Sequence, residues 1–304
     1  LRLHLTVFIF GFTAILGQLI SIGAIPLVFH RMWLASVFVF IFLLATKRAD
    51  FKLDKSAGIV LLAGAIIAAH WIAFFHSIKI SNVSVTLACA STGALFGSLL
   101  EPLFYRRKLD PKELVLGTFV IAGLYLIFRF EGDYTAGIIV GLISAFLAAL
   151  FQVINGKLVK NRTPYRITFL EMLGGCIAIG IYLAFIGELN PELFQLSAKD
   201  WLWLLILGSV CTAFAFIESV AVMRTLSPFT VLLSINLEPV YGIILALLIF
   251  GEEERMDPLF YTGAAIILMA VVADSLMKTL RKRRTAKLVQ GGKAQYDLSE
   301  STQD

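Results

Sequence analysis

Glu238 and Pro239 stand side by side in the middle of the apolar run Ser234–Glu254, SINLEPVYGIILALLIFGEEE. A carboxylate there can hold an amine or carry a proton. A proline there removes one backbone hydrogen bond and crowds the carbonyl four residues back, that of Ile235. Such a freed carbonyl is tolerated at membrane depth where it lines a wet cavity. A charged carboxylate at mid-bilayer costs about 2.5–3.5 kcal/mol on insertion scales. Glu238 is therefore expected to face an interior, pair with a donor, or hold a proton. The plain alternative is a protonated carboxyl bonded to a neighbouring helix for packing. Asn236 and Tyr241 flank the pair, and residues three apart share a helix face, which sets Tyr241 beside Glu238. Tyr241 can donate to the carboxylate, stack on a ligand, or simply pack.

Other polar side chains fall inside apolar runs. Gln18 and Gln152 occupy matched positions in two similar segments, so their amides could hold a polar ligand from two sides. The alternative is interhelical bonding, worth about 0.6 kcal/mol on average. Asn155 lies three residues after Gln152 and shares its face. His70 and Trp71 lie near the middle of their run: the imidazole can relay a proton near neutral pH, and the indole can wall a cavity. A histidine bonded to a backbone carbonyl explains His70 equally well. Arg31 lies about two turns into one helix and Glu171 about two turns into another. The orientation derived below puts them in opposite leaflets, so a direct pair is not expected. Arg31 is read as an outer-mouth group that snorkels or binds an acid.

The chain that must position these groups is 59% hydrophobic and only 15% charged over 304 residues, with a net charge of +5 and mean hydropathy +0.86. Soluble domains are nearer 45–50% apolar and 25% charged. The composition is that of an integral membrane protein, and the modest charge does not suggest nucleic acid. The three cysteines lie far apart in apolar runs with no CxxC, so neither a disulfide framework nor a metal site is expected. No cofactor motif or P-loop occurs. Residues 5–20 are read as a first helix rather than a signal peptide.

A helix needs roughly 20 apolar residues to cross a bilayer. Ten stretches qualify: 4–20, 24–46, 56–78, 82–104, 113–129, 134–156, 165–187, 200–222, 228–250 and 258–277. Several open on proline (Pro26, Pro111, Pro164, Pro228, Pro258), which a first helical turn accepts. With both ends and the even loops on one side, that side carries 20 Lys and Arg up to Lys287; the other carries Lys79, Arg129, Lys199 and Arg255. Positive residues stay cytoplasmic, so both termini are expected inside. The tail, 278–304, is basic and then polar. Its basic part is expected on anionic lipid and the rest disordered.

The two halves resemble each other. Phe12-x-Ala14-x-Leu16-x-Gln18-x-Ile20 recurs as Phe146-x-Ala148-x-Leu150-x-Gln152-x-Ile154. Pro26 matches Pro164, and Lys108-Leu109-Asp110-Pro111 matches Arg255-Met256-Asp257-Pro258. Five helices per copy is an odd number, so the second copy enters upside down. Inverted repeats of this kind are typical of secondary transporters. The expected fold is therefore an all-α integral membrane protein of ten transmembrane helices in two inverted five-helix repeats. The first repeat spans 1–130, the second 131–277, and the tail 278–304.

Ten helices in five plus five, Pro26 with Arg31 in helix 2, and EPVYGIILALLIFGEEE near the end of the second repeat resemble EamA-type transporters of the drug/metabolite transporter superfamily. The resemblance covers residues 5 to about 277. It implies helices 1–4 and 6–9 around a central cavity, with 5 and 10 peripheral. It also implies export or exchange of small metabolites, often amino acids or related compounds. The late family motif, Pro then Gly-Glu, is here Pro239 and Gly251-Glu252. The first repeat departs from it: Thr92 faces Pro239, Phe104-Tyr105 faces Gly251-Glu252, and Glu101-Pro102 is out of register by ten. The function expected is secondary transport of a small metabolite by alternating access, driven by protons or running as uncoupled facilitation. A membrane-embedded enzyme and a channel are the alternatives; the first needs a nucleophile and base in contact. The expected partners are a small-molecule solute and the lipid bilayer. The chain is expected in the plasma membrane, the inner membrane of a bacterium, as a monomer or homodimer, with no enzymatic activity. The solute, the direction of transport and the coupling are not legible in the residues.

Overall fold

The computed structural model describes residues 2–47, 57–106, 108, 111–130, 132–226, 231, 234–235, 237–270, 272–273 and 276–277. Asn236, Pro228 and the tail 278–304 lie outside the described residues. All regular structure among those described is helical: α1 (Arg2–Leu19), α2 (Ala24–Ala45), α3 (Ala57–Ile80), α4 (Val83–Ala90), α5 (Gly93–Tyr105), α6 (Pro111–Phe130), α7 (Thr135–Leu158), α8 (Pro164–Phe185), α9 (Ala198–Gly208), α10 (Ala215–Val222) and α11 (Glu238–Phe250), then α12 (Pro258–Ala270). Among the described residues, six spans are long and apolar enough to cross a membrane: α2, α3, α4 with α5, α7, α8, and α9 through α10. Large apolar side chains lie bare on the outside, such as Phe185 at 89% and Leu248 at 77%. That surface suits lipid rather than water.

Local chemistry sets many helix ends. The Thr163 hydroxyl accepts from Arg166 N–H ahead of Pro164, Ser197 accepts from Asp200 N–H and Asn82 from Val85 N–H. Each satisfies a first-turn donor that the helix itself cannot. Gly251, with φ at +60°, ends α11, the backbone region glycine enters without strain.

Two expected helices are interrupted. The span at 82–104 breaks into α4 and α5 at Ser91–Thr92. There Ser91 Oγ donates to Leu87 O at 3.3 Å and Thr92 Oγ1 to Cys89 O at 2.7 Å. Side-chain bonds of this kind compete with the helical ladder. The span at 200–222 contains a wide π-helical stretch, Ser209–Phe214, where Thr212 Oγ1 donates to Leu207 O at 2.6 Å. Pro239, expected to bend a longer ninth helix, stands in the first turn of α11, where its missing N–H leaves no bond unmade.

Close backbone contact holds the bundle. α3 packs along α7 and α8, α2 along α8 and α9, α1 along α11, and α4 and α5 along α7. At the α3–α8 crossing, a Cβ on Gly64 would fall 2.1 Å from Glu171 O, and one on Gly174 2.3 Å from Leu61 O. Small residues permit this approach where apolar burial gives little drive between helices in lipid. At the edge, Gly123 of α6 and Gly263 of α12 oppose each other in the same way: a Cβ on either would fall 2.7 Å from the other's carbonyl oxygen.

The two ends of the bundle differ. At one, Lys160, Arg162, Arg166 and Arg224 line a shallow basic recess. At the other, carboxylates tie segments together. Ser21 N–H and Oγ donate to Asp200 at 2.8 Å each, and Lys79 donates to Ile20 O. Glu254 accepts from Val83 and Ser84 N–H at 2.9 Å each.

Candidate functional site

A cavity of about 90 Å³ lies at mid-bundle, bounded by Arg31, Glu238, His70, Trp71 and Gln152. Phe10, Phe74, Phe151 and Phe216 complete an aromatic wall. These residues come from α1, α2, α3, α7, α10 and α11, so the cavity exists only in the assembled bundle.

Arg31 is 1% exposed and does not reach an outer mouth. Its Nε donates to Thr212 Oγ1 at 2.7 Å, and its guanidinium carbon sits 3.6 Å from the centre of the Trp71 ring. The wide π turn gives Thr212 this position: its hydroxyl gives its proton to Leu207 O and accepts from Arg31. π-Bulges recur at functional sites. Arg31 Nη1 is buried and has no hydrogen-bond partner among the described residues. A guanidinium in this setting can take a carboxylate through its open edge. Glu238 lines the same cavity without a direct ion pair to Arg31 among the described residues. A cationic and an anionic group thus share one small space lined mainly by rings.

Among the described residues, His70 and Ser144 form a pairing that bears on an enzyme reading. Ser144 Oγ lies 2.9 Å from His70 Nδ1, a separation that would suit a nucleophile and its base. But Nδ1 also lies 2.9 Å from the Ser144 carbonyl oxygen. A carbonyl only accepts, so Nδ1 carries the proton and cannot take one from the hydroxyl. Ser144 Oγ donates instead to His70 O at 3.1 Å. The pair fixes the ring rather than activating the serine. Among the described residues no cluster of His, Cys, Asp or Glu could hold a metal ion.

The sequence-derived residues divide. Glu238, His70, Trp71 and Gln152 meet at the cavity. Gln18 is half-buried and outside the lining. Tyr241 packs edge-on against Phe8 at 5.7 Å, and Pro239 is buried behind Glu238. Asn155 turns to Glu171 of α8, 3.4 Å away. Thr13, Ser219 and the phenylalanine wall were not anticipated, since apolar composition alone does not distinguish a cavity wall from a lipid face. Thr212 was also missed; a hydroxyl inside an apolar run was its only signal.

An all-helical bundle with lipid-suited faces and a central aromatic cavity is the frame of a multi-pass membrane carrier. The chain belongs to the EamA-like transporter family, whose match covers residues 2–129 and, separately, 135–273. It is 25% identical over 285 residues to an uncharacterized transporter of Bacillus subtilis, YxxF, covering 91% of this chain and 89% of that one. An uncharacterized transporter of Archaeoglobus fulgidus is 25% identical over 260 residues, covering 83% and 88%. A solved crystal structure superposes with a TM-score of 0.66 at 14% identity, covering 91% of this chain and 96% of that one. That likeness concerns the fold alone.

Proposed function

We propose that this transporter moves a small zwitterionic metabolite of the amino-acid class by alternating access. Arg31 takes the carboxylate, Glu238 the ammonium group, and Gln152 a further polar atom, while Trp71 and the phenylalanines cover the apolar part. The observation that carries this reading is the buried Arg31 Nη1 beside a cavity that also contains Glu238. A lone ionic group at such depth would be costly. Two of opposite sign around a solute neutralise each other, and rings around them exclude water. The cavity is smaller than the roughly 300–1,000 Å³ of common ligand pockets, which fits a small solute held in a closed state.

The reading extends to ten crossings in two inverted five-helix units, with both termini cytoplasmic in a bacterial inner membrane. Three things support it: the separate family matches to each half, the paired glycines at the α6–α12 crossing, and the basic residues gathered at one end of the bundle.

The test is thermal stabilisation of the purified protein by a panel of amino acids, set against the corresponding amines and carboxylic acids. Amino acids are expected to raise Tm, and each half-molecule to do so far less. Glu238→Gln should abolish the advantage of an amino acid over its parent acid. Equal stabilisation by amine, acid and amino acid would overturn the assignment. Flux into proteoliposomes with and without an imposed pH gradient then separates proton-driven from uncoupled transport.

A further inference from the structure

Glu171 is a second carboxylate inside the bundle, outside the cavity lining. It is fully buried on α8, and its backbone carbonyl meets Gly64 of α3. Its Oε2 accepts from Asn155 Nδ2 at 3.4 Å. Its Oε1, Asn155 Oδ1 and Thr168 Oγ1 are buried with no hydrogen-bond partner among the described residues, as is Gln152 Oε1. Thr168 is three residues before Glu171, and Gln152 three before Asn155, so each pair shares a helix face. The result is a strip of polar atoms that leaves the cavity at Gln152 and runs towards the basic end of the bundle. It bridges α7 and α8 where both lie against α3.

Among the described residues the side chain that meets Glu171 is the Asn155 amide, and the cations of the helices around it are engaged elsewhere. On α3 the contact is made by Leu61 and Gly64, and His70 is held by Ser144. On α7, Lys157 lies over the rings of Phe104 and Tyr105. α2 meets α8 through Met32 against Gly175 and Phe40 against Phe169, and its Arg31 is engaged with Thr212 and Trp71. On α10 the titratable group is Glu218, partly exposed. On α8 itself Arg166 belongs to the basic recess.

We infer that Glu171 and Asn155 form a proton-binding site, and that the coupling proton of this carrier loads there rather than at Glu238. The chemistry of the partner supports this. An amide is both donor and acceptor. Its Nδ2–H serves the carboxylate, and a half-turn of the amide presents Oδ1 to the carboxylic acid O–H. The amide can thus bond the carboxyl in either state, which a group that loads and unloads a proton requires. A lysine or arginine partner would lock the carboxylate in its charged form. Gln152, one turn from Asn155, connects the proton site to the solute cavity. The coupling role rests on the transport reading; the proton site itself does not.

The test needs no solute. The protein in lipid nanodiscs is titrated from alkaline to acidic pH, and the carboxylic C=O stretch is followed by difference infrared spectroscopy. One buried carboxyl band is expected to be lost in Glu171→Gln and retained in Glu238→Gln. Asn155→Leu, which keeps the carboxyl, should shift that band because its hydrogen-bond partner is gone. Superimposable spectra for wild type and folded Glu171→Gln would overturn the proposal. If Glu171→Gln does not fold, an unshifted band in Asn155→Leu does so. Loss of the band on adding sodium at constant pH would mark a metal-cation site and overturn it equally. Failure of the transport reading shows elsewhere, as absence of solute flux into proteoliposomes under any gradient.

Discussion

Arg31 carries the heaviest demand at the residue scale. Burying a guanidinium is tolerable only with several partners, and it has the Thr212 hydroxyl, the Trp71 face at 3.6 Å and the nearby Phe75 ring. Lysine keeps the charge but loses the planar fork that can engage Thr212 and a carboxylate together. Arg31→Lys is therefore expected to leave a folded protein that binds its solute poorly. Loss of one charged hydrogen bond is worth about 1.5–3 kcal/mol, and each 1.4 kcal/mol is tenfold in Kd, so titration calorimetry should record at least a tenfold weakening. The sequence showed that Arg31 was an ionic group inside a helix. It did not show where the group pointed, because Trp71 and Thr212 lie on other helices. The glutamines teach the converse. Gln18 stands one residue from the end of α1, whereas Gln152 stands six from the end of α7. The same motif therefore lies at different depths, and only one amide reaches the cavity.

At the scale of elements, the interruptions and the glycine crossings matter more than helix propensity. Helix starts marked by proline were legible because their chemistry is local: Pro111, Pro164 and Pro258 open α6, α8 and α12. The π turn and the α4–α5 break were not, since both depend on which carbonyl a threonine or serine chooses. The α3–α8 crossing yields a clean contrast on one helix. At Gly64 a methyl group would meet the Glu171 backbone, which cannot swing aside, whereas at Gly58 nothing lies within 4 Å. Gly64→Ala should destabilise by about 1–3 kcal/mol, the usual cost of overpacking. Gly58→Ala should stay within about 0.5 kcal/mol of wild type. Thermal melts in detergent distinguish the two. Equal Tm values for the variants would mean that α3 and α8 do not touch as described. The same crossing holds Glu171, so Gly64→Ala should also move the Glu171 infrared band.

At the scale of the whole molecule, the proposed alternating access makes the ties at the acidic end the groups that would decide which way the cavity opens. Ser21 belongs to the first half of the chain and Asp200 to the second, and the same is true of Ser84 and Glu254. Both ties must break if the halves are to part at that end. At about 1.5 kcal/mol for each bond to a charged group, the two from Ser21 to Asp200 contribute about 3 kcal/mol, a roughly hundred-fold bias in a two-state equilibrium. Asp200→Ala should therefore raise the share of molecules open at that end, and adding Glu254→Gln should raise it further. Ala145, 2% exposed on the cavity wall, is a suitable reporter. With the native Cys89, Cys176 and Cys211 replaced, Ala145→Cys should resist a membrane-impermeant thiol reagent applied from the acidic end. The Asp200→Ala background should make it reactive from that side. Solute should restore protection if it favours the closed cavity, because a ligand shifts an equilibrium only by its differential affinity for the two states. Labelling that is equally fast with and without the ties would show that they decorate a wall that never moves, and alternating access would then have to pass through some other seam of the bundle.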